Sequence, residues 1–244
     1  MNKLHGRIAV VTGAGSGIGR AIAGALADQG ATLCLVGRTP AALEDTANGL
    51  DSANVTTRCY ATDLTYDDQV QALAEQLRND WDAVDILVHS AGVHAMGRLE
   101  VAPVAEFDLQ YRTNVRAPYL LTQSLLQLLR QRQGQVVFIN SSAGLSARGV
   151  VGSYAATKHA LKAVADSFRD EVNADGLRVL SMYLGRTASP MQARIHAMEG
   201  KPYDPEYLLQ PNDVAAVVLN ALCLPRTAEV TDIRIRPLRK PPSG

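Results

Sequence analysis

Two side chains one helical turn apart, Tyr154 and Lys158 in Tyr154-Ala155-Ala156-Thr157-Lys158, are the pair in this chain best suited to moving a proton. A spacing of four puts both on one helix face. An ammonium beside a phenol favours the phenolate and lowers a pKa that is about 10 in model peptides. A tyrosine tuned in this way can exchange a proton with a carbonyl or alcohol oxygen near neutral pH. Upstream, Ser141 and its neighbour Ser142 follow an apolar run. A serine at the carboxyl tip of a parallel strand stands where α/β sheets bind ligands, and its hydroxyl can hold the same oxygen. The residue chemistry leaves both serines open.

A second constellation handles phosphate. Thr12-Gly13-Ala14-Gly15-Ser16-Gly17-Ile18-Gly19 follows the first apolar run and precedes a helical pattern. Glycines let the backbone approach a pyrophosphate, and the following helix offers free N–H groups and the positive end of its dipole. The spacing is G-x-x-x-G-x-G rather than G-x-G-x-x-G. The second apolar run ends Gly37-Arg38, with glycine where an acid would accept from a ribose 2′-hydroxyl. Arginine there suits a 2′-phosphate and favours NADP(H).

The elements that must position these groups alternate two hydrophobic periods. Runs at 7–11, 32–36, 56–60, 85–89, 135–139, 178–183 and 231–235 read as strands covered on both faces. Helical stretches lie between them at 18–29, 40–50, 67–81, 107–132, 153–174 and 212–223. Pro118 predicts an interruption near Ala117. The alternation implies an α/β fold: a single doubly wound, Rossmann-type domain over 1–244, with a mostly parallel seven-stranded sheet and helices on both faces. Residues 189–211 are the least regular and read as a substrate lid; 237–244, with three prolines, reads as a frayed tail.

Lys plus Arg and Asp plus Glu balance at 24 each, which gives no bulk attraction to nucleic acid or anionic membrane. No apolar stretch reaches the roughly 20 residues of a membrane span. Cys34, Cys59 and Cys223 lack metal-ligand spacing, Cys34 and Cys59 are expected as buried strand thiols, and five histidines show no paired spacing, so no metal is expected. Sparse cysteines and the lack of a signal-peptide pattern suit the cytoplasm.

Taken together, these motifs resemble the short-chain dehydrogenase/reductase (SDR) family nearly end to end. Thr12 to Gly19 is similar to its T-G-x-x-x-G-x-G cofactor motif, so the resemblance implies cofactor contacts from Gly13, Gly15, Ser16, Gly17, Ile18 and Gly19. It implies that Asp63, with Leu64, lies at the adenine, that Asn114 completes a tetrad with Ser141, Tyr154 and Lys158, and that Ser141 rather than Ser142 is the catalytic serine. Ser90-Ala91-Gly92 stands where the family has N-A-G, and Leu184-Gly185 where it has P-G, with Thr187 just beyond. The implied activity is an NADP(H)-dependent carbonyl reductase or alcohol dehydrogenase acting on a small molecule. Tyr154 acts as general acid/base, Lys158 lowers its pKa, and Asn114 holds a proton-relaying water. The resemblance also implies a homodimer or homotetramer assembled through the long helices 107–132 and 153–174. The departures at Ser90 and Leu184 motivate a competing reading, an NADP(H)-binding regulatory protein with weak or no turnover.

Overall fold

The computed structural model describes residues 2–50 and 55–239. Seven strands, β1 (Ile8–Thr12), β2 (Thr32–Gly37), β3 (Thr57–Ala61), β4 (Ile86–His89), β5 (Gln135–Ser141), β6 (Arg178–Leu184) and β7 (Asp232–Ile235), form one sheet in the order β3-β2-β1-β4-β5-β6-β7. Every pairing is parallel, so the sheet is wholly rather than mostly parallel. The strand order reverses between β1 and β4, which opens a crevice at their carboxyl ends.

Among the described residues eight α-helices cover the faces: α1 (Gly17–Ala27), α2 (Pro40–Asn48), α3 (Asp67–Asp80), α4 (Val104–Tyr111), α5 (Ala117–Arg130), α6 (Gly152–Val172), α7 (Pro190–Met198) and α8 (Pro211–Leu222). On one face Ile22 and Leu26 of α1 meet Val214 and Val218 of α8 over Val11, Leu33 and Val137. On the other, Leu73 and Leu77 of α3, Leu121 and Leu125 of α5 and Leu161 of α6 cover Val10, Leu87 and Phe138. Full burial of such side chains contributes roughly 1.5–3 kcal/mol each. This is why the central strands carry apolar residues at consecutive positions.

Three expectations change. The interruption at Pro118 is a widening: Arg112–Arg116 form a π-turn between α4 and α5, with the Ala117 N–H donating to the Arg112 carbonyl. Residue 118 has no N–H, so no α-helical bond can reach the Asn114 carbonyl. The irregular lid contains a helix, α7, begun by Ser189, whose side chain accepts from the Gln192 N–H, and by Pro190 at the first position. Cys59 is exposed, because β3 is an edge strand; Cys34, in β2, is buried. Of the expected frayed tail, residues 240–244 lie outside the described residues.

Candidate active site

The glycine turn is closed by contacts that tolerate no side chain. Gly13 has φ +68°, and a Cβ there would stand 2.9 Å from the backbone of Ala91; one on Gly19 would stand 2.3 Å from the Gly13 carbonyl oxygen. Gly17, at φ +52°, abuts Ser189 at the head of the lid. Thr12 ties the turn to the next crossover, its hydroxyl donating to the Val88 carbonyl (3.2 Å) and accepting from the Ser90 and Ala91 N–H groups (3.1 Å each). Ser16 precedes α1 in extended conformation without capping it, and no acid occupies the first turn. The amino end of α1 therefore keeps free N–H groups and uncompensated positive dipole.

Beyond β2, Gly37 packs on Leu43, and Arg38 is exposed, without an ion pair among the described residues. Asp63 uses one carboxylate oxygen to accept from the Thr65 N–H (3.0 Å) and hydroxyl (2.8 Å), leaving the other for a ligand, while Leu64 is buried beside it. Gly185 abuts Arg236 and Pro237, its N–H donating to the Ile235 carbonyl (2.8 Å), and Thr187 is buried with its hydroxyl on the Gly185 carbonyl (3.1 Å). A cradle that any Cβ at Gly13 or Gly19 would fill, an uncapped helix end and an unpaired arginine after β2 together fit a phosphorylated dinucleotide.

The proton-handling residues gather at the neighbouring strand tips. Ser141 ends β5 and lies against Tyr154, while Ser142 is exposed at the start of a 3-10 turn. Lys158 is buried, its Nζ donating to the Ile139 carbonyl (3.0 Å) and standing 5.9 Å from the centre of the Tyr154 ring. Burial pulls Lys158 down to about 8. Burial pushes Tyr154 up, and the Ser141 hydroxyl draws it partly back. Burial, the largest influence on Tyr154, outweighs the expected lowering, with the Lys158 ammonium 5.9 Å from the ring centre and turned to the Ile139 carbonyl.

Asn114, on the π-turn, is buried and its side chain is committed. It accepts from the Val93 N–H and donates to the Val93 carbonyl (2.9 Å each), and it donates to the Thr157 hydroxyl (3.1 Å). The contacts Gly13 to Ala91, Gly92 to Asn114 and Asn114 to Thr157 link the glycine turn to the tyrosine helix. His89 is a core residue rather than part of the site: it stacks on Phe138 at 5.0 Å, its Nε2 meets the Thr122 hydroxyl at 2.8 Å, and burial lowers it to about 3. His196 is likewise buried in packing, between Gln192 and Tyr203.

Sequence reasoning missed His94, whose ring lies 4.6 Å from that of Tyr154. The available signal was position: a histidine two residues past Gly92, in the loop leaving the carboxyl end of β4. It also missed Gln110, fully buried in α4, which accepts from the Ala95 N–H (3.0 Å) and donates to the Ser153 hydroxyl (3.0 Å). A lone glutamine in a helix carries no such signal.

A family model described as short chain dehydrogenase matches residues 7–200, and the chain belongs to that family. A Staphylococcus aureus (strain USA300) protein described as an uncharacterized oxidoreductase is 31% identical over 239 residues, covering 98% of this chain and 100% of its own. Among solved structures, an alcohol dehydrogenase from the archaeon Thermococcus sibiricus, complexed with 5-hydroxy-NADP, superposes with a TM-score of 0.87 at 27% identity, over 98% of this chain and 99% of its own. A metagenomic short-chain oxidoreductase in complex with NADP gives 0.84 at 28% identity, over 98% and 100%. The chain is thus an oxidoreductase of the short-chain type.

Proposed function

We propose that the protein is an NADP(H)-dependent oxidoreductase that interconverts a small carbonyl compound and its secondary alcohol, with Tyr154 as general acid/base. The observation that carries this reading is the convergence of Ser141, Tyr154 and Lys158 at the carboxyl ends of the strands, joined through residues 90–95 and Asn114 to a glycine turn with no room for side chains. The NADP-bound relatives and the exposed Arg38 after Gly37 support the phosphorylated cofactor.

When bound, the nicotinamide supplies or accepts the hydride. In the reductive direction Tyr154 gives its phenolic proton to the substrate oxygen, and its raised pKa keeps that proton in place until it is needed. Ser141 holds the same oxygen. Lys158 recharges Tyr154 after transfer; with a pKa near 8 it is poised to exchange protons close to neutrality. The Asn114 carbonyl, denied an α-helical partner by Pro118, is the acceptor for a relaying water, while the Asn114 side chain fixes the loop at Val93. Gly185 and Thr187 would border the nicotinamide, and Asp63 and Leu64 the adenine.

The exposed Tyr111 and Tyr119 along α4 and α5 support association of this face with a second copy, whereas Leu121, Leu125 and Leu128 of the same stretch are core residues. Sedimentation at micromolar concentration should give a dimer or tetramer; a monomer would remove that part of the proposal. The activity is tested by following NADPH oxidation optically across a panel of ketones and aldehydes, with the alcohols and NADP+ in reverse. Turnover of at least one carbonyl class is expected. Tight NADPH binding with no turnover across the panel would favour the regulatory reading instead.

A further inference from the structure

Beside Tyr154 lies a cavity of about 190 Å³ between residues 93–94, α4 and α7. At roughly 30 Å³ per water it has room for about six waters, the scale of a small substrate. Val93, Leu109, Met191, Ile195 and Met198 make most of its wall apolar, and His94 stands where that wall meets Tyr154.

His94 is held on both sides. The preceding residue, Val93, exchanges both backbone groups with the Asn114 amide (2.9 Å each), and the following Ala95 N–H donates to Gln110 Oε1 (3.0 Å). Gln110 in turn donates to the hydroxyl of Ser153, the neighbour of Tyr154 (3.0 Å). The ring therefore has little freedom to leave the tyrosine. Its Nδ1 is sealed from solvent with no hydrogen-bond partner, while Nε2, also unpartnered among the described residues, is not sealed. With Nδ1 sealed and without a partner, Nε2 is the ring nitrogen left to meet a ligand. Burial and the nearby Arg186 keep the ring neutral against the opposing pull of Glu199. His94 thus offers one ring nitrogen, Nε2, to a ligand beside the tyrosine ring.

We propose that His94 is a specificity-determining residue whose Nε2–H binds a second oxygen of the substrate, on the carbon next to the reacting carbonyl, so that the substrate class is small α-oxygenated ketones: vicinal diketones and α-hydroxyketones. This rests on the oxidoreductase reading above and adds the substrate class. With their ring centres 4.6 Å apart, Tyr154 and His94 can address two oxygens of one small molecule, and oxygens on adjacent carbons lie close enough together to meet both. The reaction is otherwise unchanged: the reacting carbon gains a hydride as NADPH becomes NADP+, its oxygen gains the Tyr154 proton, and the carbon bearing the second oxygen keeps its oxidation state. A site built to hydrogen-bond an oxygen discriminates against the analogue that lacks it.

The test compares diacetyl with butanone, which share a carbon skeleton, in the wild type, His94→Phe and His94→Gln. Phenylalanine keeps the stack and removes the donor; glutamine restores a donor. The criterion is the change in preference, because diketones are intrinsically more electrophilic. His94→Phe should lower kcat/KM for diacetyl about tenfold, chiefly through KM, and leave butanone within about twofold. His94→Gln should recover part of the loss, and the affinity for NADPH should be equal in all three. Calorimetry of diacetyl binding to the NADP+ complex gives a readout independent of turnover and should show the same tenfold weakening in His94→Phe. Equal losses on both ketones, or unchanged diacetyl binding in His94→Phe, would overturn the assignment. If no carbonyl is consumed by the wild type, the oxidoreductase reading fails, and the calorimetric comparison still decides whether His94 binds the second oxygen.

Discussion

The two ends of the parallel sheet treat their polar groups in opposite ways. At the amino end Asp85 is almost fully buried and matched: its carboxylate accepts from Arg7 (2.6 Å) and from the Ile8 N–H (2.9 Å), and its backbone bonds to Ile8 and Gln135. Arg178, nearby, is buried and donates to the Leu224 and Pro225 carbonyls (3.1 and 2.6 Å). At the carboxyl end, the head of α1 is uncapped, Lys158 and Tyr154 are desolvated without a matching charge, and His94 Nδ1 is orphaned. Unpaired buried groups cost stability. Their concentration at one edge therefore separates the half of the molecule that holds the fold from the half left open for ligand.

The sharpest way to break this contrast is Gly13→Ala. The substitution forces a methyl into the Ala91 backbone at positive φ, and calorimetric titration should find NADPH binding lost. Asp85→Ala should do the reverse. Leaving the Arg7 and Ile8 donors unmatched should cost about 1–3 kcal/mol in urea unfolding, with NADPH affinity unchanged. A loss of binding there would show that the two ends are not separable.

His89 lies between the two regimes and gives a pH signature. Its folded-state pKa of about 3 is below the ordinary value of 6.5, so as pH falls the unfolded chain takes up the proton first. The stability it contributes is complete above pH 6.5 and is lost progressively toward pH 3. At pH 5 the loss is about 2 kcal/mol, and His89→Gln should flatten that part of the urea-midpoint profile. An identical acid profile in the variant would remove His89 from the account. Arg38→Ala carries the smallest effect, about a tenfold loss of NADPH affinity with NADH unaffected, because the arginine is exposed and screened.

The same division explains what could be read from the chain. β-branched runs covered on both faces have no competing interpretation, so the strands stand within a residue or two of the expected positions at one or both ends. The glycine turn and the Tyr154–Lys158 spacing were equally legible, because each depends on local geometry. What escaped depends on partners distant in sequence. Pro118 marked a disruption, but its form, a π-turn that presents Asn114, is set by packing against Val93 and Thr157. The Ser189-Pro190 start of α7 was visible as a cap and proline, yet its mixed composition masked the helix. Lys158 was expected to act on Tyr154 through charge; burial of both residues, which no spacing reveals, works against that effect.

The most direct test of the central claim is Tyr154→Phe measured twice on one preparation. Turnover with NADPH should fall by about 10²–10⁴-fold while the NADPH dissociation constant and the melting temperature stay at wild-type values. Substantial residual turnover, or loss of cofactor binding in parallel with activity, would contradict it.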